Sequence, residues 1–233
     1  QPQFNSCYAT NAHPREIAER LIDLPVQLLS RNCAPQHPRV MLLYNPPVVN
    51  AQLGLRRSPL ADARSLVNLL LDQDVQSVVF ARSRLSAELL LTYLRQDAAR
   101  SGRDPAVVRG YRGGYLPKER RAIEGDLRSG RVRAIVATNA LELGINIGGL
   151  SACVMVGYPG SIASCWQQAG RVGRSGERSL ALLVASASPL DQYIVAHPDY
   201  IFGRSPERAL INPDNLLVLL SHLNCAAYEL PFS

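Results

Sequence analysis

The segment QQAGRVGR, residues 167–174, combines the side chains best suited to binding a phosphate group. In a helix, Gln167, Arg171 and Arg174 would lie at i, i+4 and i+7 and point from one face. Guanidinium groups are planar and always charged, and their donors fit phosphate oxygens. When they are supplied to a nucleotide bound elsewhere, they neutralise the charge that develops on the transferred phosphoryl group. The spacing alone is equally compatible with a solvated, arginine-rich turn.

A second candidate segment, ATNALELGINIGGL at 137–150, follows a predicted strand. Ligands on open parallel sheets bind at the carboxyl ends of the strands. The Thr138 hydroxyl and the Asn139 amide could therefore bind a nucleic-acid backbone phosphate, and Gly144 would let the backbone approach closely. A Thr-Asn pair after a strand can also be a simple helix cap.

A third segment, 109–133, is basic and contains the aromatic residues Tyr111 and Tyr115. Basic side chains with aromatic neighbours suit backbone contacts and base stacking on a single strand, and Arg112 and Gly113 are the candidates in its turn. A solvated helix face is the alternative, because three acidic residues dilute the run. The basic residues are Arg109, Arg112, Lys118, Arg120, Arg121, Arg128, Arg131 and Arg133. Arg82 and Ser83 form a similar cluster after another predicted strand.

Composition excludes several other classes of site. The chain has 233 residues and a net charge of +6, and Lys118 is its only lysine. Lys118 stands in LPKERR, so the sequence holds no phosphate loop of the form G-x-x-x-x-G-K-[ST]. The five cysteines and four histidines are scattered, which predicts reduced thiols and no metal site. The longest apolar stretches are too short to cross a bilayer, so we expect no membrane partner.

The elements that must position these residues alternate between short β-branched runs and longer helical patterns. This order predicts an α/β fold, a parallel sheet with helices on both faces. The predicted strands are 40–44, 77–80, 107–111, 132–137, 153–157 and 180–185, and the helices between them are 59–71, 85–100, 117–129, 164–173 and 189–196.

The two ends differ from this pattern. Residues 1–45 read as strand, helix and strand, which is too little for a domain, and the polar stretch from Pro46 to Ser58 reads as a linker. A helix from 216 is apolar on nearly every face and requires burial all round. We therefore expect both ends to be edges of a larger protein, with one complete domain at 46–197.

The order of these segments resembles superfamily 2 DEAD/DEAH-box helicases. VVFARSR at 78–84, the basic turn at 109–121, ATNALELGINIGG at 137–149 and QQAGRVGR resemble motifs IV, IVa, V and VI, and CYATNAHP at 7–14 is similar to the motif III region. The tail at 197–232 resembles the post-motor segment of the bacterial YprA, or mitomycin repair factor A, group, where it leads into a winged-helix region.

The resemblance implies a RecA-like second motor domain at 46–197, preceded by the end of the first (1–45) and followed by the start of a winged-helix region (198–233). It implies that ATP with Mg²⁺ is bound mainly by the first RecA-like domain, and that this chain alone is inactive. Arg171, Arg174 and Gln167 match the motif VI residues that reach the nucleotide, and Gly144 and Asn146 lie where motif V turns toward it. Thr138 matches the threonine that holds the nucleic-acid backbone.

By the same resemblance, the expected partners are single-stranded or partially duplex DNA and the other domains of the same protein. The expected setting is DNA repair in the cytoplasm, with movement from 3′ to 5′. Tyr8 stands where motif III usually begins with serine, and Asn146 replaces a frequent aspartate of motif V. A non-catalytic nucleic-acid-binding module therefore remains as an alternative. An RNA helicase is a further alternative, and the post-motor tail argues against it.

Overall fold

The structure is a computed structural model that describes residues 3–8, 10–31, 38–141, 150–173, 178–212 and 214–230. The chain divides into two compact units. Residues 34–205 form the larger unit, and residues 1–33 together with 206–233 form the smaller one.

A six-stranded sheet is the centre of the larger unit, and every neighbouring pair of its strands is parallel. Its order is β1-β8-β7-β4-β6-β5. The strands are β1 (Arg39–Tyr44), β4 (Ser77–Ala81), β5 (Val108–Tyr111), β6 (Ala134–Ala137), β7 (Ala152–Val156) and β8 (Ser179–Val184), and β2 (Val48–Asn50) pairs with β3 (Leu55–Arg56) in a separate hairpin.

Helices cover both faces of this sheet, as the alternation of elements predicts. The helices of this unit are α2 (Pro59–Asp72), α3 (Arg84–Arg100), α4 (Pro117–Arg128), α5 (Ile162–Ala169), α6 (Pro189–Ala196) and α7 (Asp199–Phe202). Along β4, Val79 and Ala81 pack with α2 and α3, whereas Val78 and Phe80 pack with α4, α5 and α6. Every residue of β4, β6 and β7 is buried because both faces are covered. The RecA-like α/β fold is confirmed.

The amino-terminal part of this unit differs from the sequence prediction. β1 pairs with β8 from Arg39 to Tyr44, so a strand that we assigned to the preceding segment belongs to this sheet. The stretch interpreted as a linker contains the hairpin of β2 and β3, whose exposed valines and leucines gave no clear alternation. The strand predicted before residue 14 is wrong for the described residues 3–8 and 10–13, which pair with no neighbouring strand.

The smaller unit contains the helices α1 (Pro14–Ile22) and α8 (Leu216–Glu229). Glu16 of α1 is paired with Arg208, and this ion pair joins the two separate stretches of chain. Asn215 caps α8 by accepting from the backbone N–H groups of Leu217 and Val218. The leucines of α8 are exposed within this chain. The proposal that this segment leads into a winged-helix region remains a prediction.

Candidate functional site

The predicted nucleic-acid residues lie along one edge of the sheet. Because the strands are parallel, the chain leaves all of them at the same edge, and β4, β6 and β5 are consecutive neighbours there. Each of these strands is followed by one pair of candidates. The pairs are Arg82 and Ser83 after β4, Thr138 and Asn139 after β6, and Arg112 and Gly113 after β5.

A cavity of about 310 Å³ opens at this edge, between the ends of β4, β6 and β7. Arg82, Thr138 and Asn139 line it together with Gly157 and Gln168. Arg82 and Asn139 are exposed, whereas Thr138 is half-buried. The cavity therefore presents one cation and several uncharged hydrogen-bonding groups, a set suited to a phosphate-bearing ligand.

Gly157, which follows β7, makes room for the Arg82 side chain. Its φ is +81°, and a Cβ there would lie 2.9 Å from Cδ of Arg82 and 3.3 Å from Oδ2 of Asp191. A larger residue would meet both a strained backbone and the arginine chain. Gly157 thus leaves the space that the Arg82 side chain occupies along the cavity.

Asp191 is a buried carboxylate behind the same edge, and its side chain is 1% exposed. Its Oδ2 accepts from the backbone N–H of Tyr158 at 3.3 Å and from that of Ser186 at 2.6 Å. These two N–H groups belong to the loops after β7 and β8, so one carboxylate holds both loops. Sequence reasoning missed Asp191, because it lies in the unremarkable first turn of α6.

Gln168 is a second residue that sequence reasoning missed. It is 5% exposed and lines the cavity, whereas Gln167, the predicted residue, is half-buried and contacts Arg171 through its carbonyl. The helical spacing of α5 could have indicated that Gln168 is buried, because Ile162, Cys165 and Gln168 recur at every third position on the buried face.

The arginine-rich segment does not continue α5. The predicted helix at 164–173 is too long, since α5 ends at Ala169 and Gly173 has a φ of +81°. Nε of Arg171 donates to the carbonyl oxygen of Gln167 at 3.4 Å, in the turn that follows the helix. The helix on which the alignment of Gln167, Arg171 and Arg174 depends therefore ends before Arg171, although the Arg171 side chain still reaches the backbone of Gln167. Arg174, Gly144 and Asn146 lie outside the described residues.

Ser83 has a structural role at the start of α3. Its Oγ accepts from the backbone N–H of Ser86 at 3.0 Å, and the two hydroxyl oxygens are 2.8 Å apart. This is a helix N-cap, and it orients the first turn of α3 at the carboxyl end of β4.

Two side chains hold the loop that carries Arg112 and Gly113. Arg112 is paired with Glu88 of α3, and its guanidinium lies 5.7 Å from the ring centre of Tyr115. Arg120 of α4 donates to the carbonyl oxygen of Tyr115 at 3.0 Å and also to that of Gly113. Arg120 thus satisfies two carbonyls of the loop and fixes its course, a role that the basic run alone does not reveal.

Comparison with known proteins identifies this architecture. Residues 61–176, which include β4 to β7 and the segments that resemble motifs IV to VI, match the helicase conserved C-terminal domain. YprA of Bacillus subtilis, an uncharacterized ATP-dependent helicase, is 52% identical over 231 residues. The match covers 99% of this chain and 31% of YprA. The chain carries the C-terminal domain of a superfamily 2 helicase of the YprA type.

Solved helicase structures share its fold. The DUF1998 helicase MrfA bound to DNA and AMPPNP is 52% identical with a TM-score of 0.87, and the match covers 96% of this chain and 31% of MrfA. The helicase Lhr of Mycobacterium smegmatis bound to ssDNA and AMP-PNP is 29% identical with a TM-score of 0.76, over 94% of this chain and 29% of Lhr. The chain thus spans about a third of the length of these helicases.

Two titratable groups of the sheet core have raised pKa values because they are buried. Burial raises the pKa of the Cys153 thiol, which lies in the core beside β8. Burial also raises the pKa of Tyr111, whose hydroxyl lies 3.3 Å from Glu124.

Over the described residues, no cluster of three or more His, Cys, Asp or Glu side chains could hold a metal ion. No helix in the described parts of the chain is long and apolar enough to cross a membrane.

Proposed function

We propose that the chain is the C-terminal motor half of an ATP-dependent DNA helicase or translocase. The observation that carries this proposal is the continuous edge at which β4, β6 and β5 present Arg82, Thr138 and Arg112 in adjacent loops. A strand lying across these loops would meet them in turn. Contacts of this kind bind the backbone and carry no base information, as a motor that moves along any sequence requires.

Each candidate has a distinct role toward the strand. Arg82 and Arg112 supply charge to phosphates, whereas Thr138 and Asn139 supply uncharged hydrogen bonds from half-buried and exposed positions. Ser83 and Gly113 shape the loops around them. The complexes of MrfA with DNA and of Lhr with ssDNA support DNA as the ligand class.

The segment that follows α5 supplies the contacts of this chain to the nucleotide. Arg171 is half-buried and anchored through Nε to the backbone of Gln167, so its guanidinium fits the part of a donor to a phosphate oxygen. Because the sequence holds no phosphate loop, ATP and its Mg²⁺ would be bound mainly by the first RecA-like domain. ATP supplies the free energy of movement, and Arg171 and Arg174 stabilise charge on its terminal phosphate. Gln167, Gly144 and Asn146 would contact the nucleotide from this half.

The proposed direction of movement, biological process and cellular location of the protein rest on its resemblance to the YprA group. We propose movement from 3′ to 5′, a role in DNA repair and a place in the cytoplasm. The first RecA-like domain and the downstream domains of the same protein would be the other partners.

Fluorescence anisotropy with labelled single-stranded DNA, RNA of the same sequence and duplex DNA tests the nucleic-acid role. We expect the chain to bind single-stranded DNA, with a log–log salt slope of about −0.7 per phosphate contact. Arg82→Gln and Thr138→Val should weaken binding. Arg103→Gln, which removes a half-buried arginine paired with Asp72 at the opposite edge, should have only the effect of the lost charge. Preference for RNA, or affinity that is independent of salt, would contradict the proposal.

A further inference from the structure

A second cavity, of about 280 Å³, lies beside β5 at the outer edge of the sheet. Arg95 of α3, Arg109 of β5, Tyr115 of the loop and Glu119 and Asp126 of α4 line it. This cavity shares no lining residue with the cavity at the ends of β4, β6 and β7, although Arg109 and Tyr115 belong to the basic segment that resembles motif IVa.

The carboxylates of this cavity are engaged by other groups. Oε2 of Glu119 accepts from the backbone N–H of Leu116 at 3.2 Å, and Oδ1 of Asp126 accepts from Nε of Arg131 at 3.0 Å. Neither carboxylate forms an ion pair with Arg95 or Arg109 within the described part of the chain. The cavity therefore retains two guanidiniums that have no acidic partner among the described residues.

Both guanidiniums have N–H donors without an acceptor among the described residues. Nε of Arg95 donates to the carbonyl oxygen of Val108 at 3.1 Å, a group on the edge strand, and among the described residues its terminal nitrogens have no acceptor. Nε of Arg109 is buried and lacks a hydrogen-bond partner in the described structure. A buried, charged donor without an acceptor is costly, so such a group is expected to bind an ion, a ligand or water.

Tyr115 connects this cavity to the nucleic-acid edge. Its ring lies under the guanidinium of Arg112, and its hydroxyl lies over Gly110, 3.4 Å from where a Cβ would stand. Tyr115 also lines the cavity, so the cavity adjoins the loop that carries Arg112. Two guanidiniums and a phenol hydroxyl give donors on several sides, which matches the oxygens of a phosphate.

We propose that the cavity between Arg95, Arg109 and Tyr115 binds a backbone phosphate of the single strand, one step beyond Arg112. This phosphate subsite rests on the proposed function. It lengthens the contact surface around the edge of the sheet.

The test compares Arg109→Gln and Arg95→Gln with Arg100→Gln, which removes an exposed arginine from the same helix as Arg95. Anisotropy is measured with a series of single-stranded oligonucleotides of increasing length. We expect the Arg109 and Arg95 variants to lose affinity only for the longer oligonucleotides, and the magnitude of their salt slope to fall by about 0.7. Arg100→Gln should keep the slope and the length dependence of the unmodified chain.

Controls separate this proposal from the proposed function. Arg82→Gln should weaken binding at every length. If it does so while the Arg109 and Arg95 variants behave as Arg100→Gln, the phosphate subsite is overturned and the DNA-binding edge stands. If no oligonucleotide binds the unmodified chain, the proposed function itself fails. Melting temperatures verify folding, and Arg95→Gln keeps the test decisive if the buried Arg109 variant does not fold.

Two further probes address the source of the anion. One outcome is that inorganic phosphate raises the melting temperature of the unmodified chain but not that of Arg109→Gln. If Arg109→Gln then binds every oligonucleotide as well as the unmodified chain does, the site binds free phosphate, and the proposal of a strand phosphate is overturned. Polyglutamate that binds the unmodified chain but not Arg109→Gln, again without an effect on DNA, would indicate an acidic peptide and would also overturn the proposal.

Discussion

Arg112, the candidate strand-binding arginine after β5, is paired with Glu88 on the neighbouring helix α3. Both side chains are exposed, at 44% and 42%. An exposed ion pair contributes only ~0–1 kcal/mol, so a phosphate can displace the carboxylate, but it must compete with it.

Glu88→Gln should therefore strengthen binding of single-stranded DNA, by up to about fivefold at low salt. Anisotropy measures the affinity. Asp72→Asn removes the same charge from an exposed position at the opposite edge of the sheet and serves as the control. Equal effects of the two substitutions would mean that net charge, and not release of Arg112, explains the gain.

Arg120 should be required for the loop that carries Arg112. Arg120→Ala removes the donors to the carbonyl oxygens of Gly113 and Tyr115, so the loop loses its fixed course and DNA affinity should fall. The neighbouring Arg121 is exposed, and Arg121→Ala removes the same charge from the next position. A similar loss of affinity in both variants would refute the positioning role.

Gly157→Ala should displace Arg82 and weaken DNA binding about as much as Arg82→Ala does. A residue other than glycine at a positive φ also costs of order 1 kcal/mol or more. Gly160→Ala separates the two effects, because Gly160 has a φ of +103° but a Cβ there would meet nothing within 4 Å. We expect both variants to melt at a lower temperature and only Gly157→Ala to lose DNA affinity. Unchanged affinity in Gly157→Ala would show that Arg82 does not depend on this glycine.

Much of this architecture could be predicted from sequence, because buried parallel strands leave strong apolar runs. The strands at 77–80 and 180–185 were found within one residue at each end. Hairpin β2–β3 was missed since its valines and leucines are exposed, which removes the alternation that marks a half-buried strand.

The residues of the candidate site could be predicted only where the residue type and its position after a strand indicate a binding role. Arg82, Thr138 and Arg112 follow strands and could be found, and the structure brings them to one edge. Asp191 and Gln168 could not be ranked from sequence, because their importance comes from burial against loops that are distant in the chain. The overlong helix at 164–173 came from extending a helical period through two glycines.

The pair of Arg64 and Asp97 should make stability depend on acid pH. Hydrogen bonding from Arg64, and from Asn68, holds the pKa of Asp97 below its ordinary value. A lowered carboxyl pKa stabilises the folded state above about pH 4, and that contribution is lost as pH falls through the folded pKa. Asp97→Asn should therefore flatten this part of the curve of unfolding free energy against pH. Asp74→Asn, at a 73% exposed carboxylate, should leave the curve nearly as it is.

The most direct test of the motor assignment is DNA-stimulated ATP turnover by the complete motor, measured with Arg171→Ala, Arg171→Lys and the control Arg103→Ala. The isolated chain should show no turnover above background. In the complete motor, Arg171→Ala should cut turnover by about 10³-fold or more, the scale of arginine fingers, while DNA affinity without nucleotide and the melting temperature hold. Arg171→Lys should restore little, because an ammonium lacks the planar, two-pronged geometry. Turnover that survives Arg171→Ala, or that falls only in step with the melting temperature, would contradict the assignment.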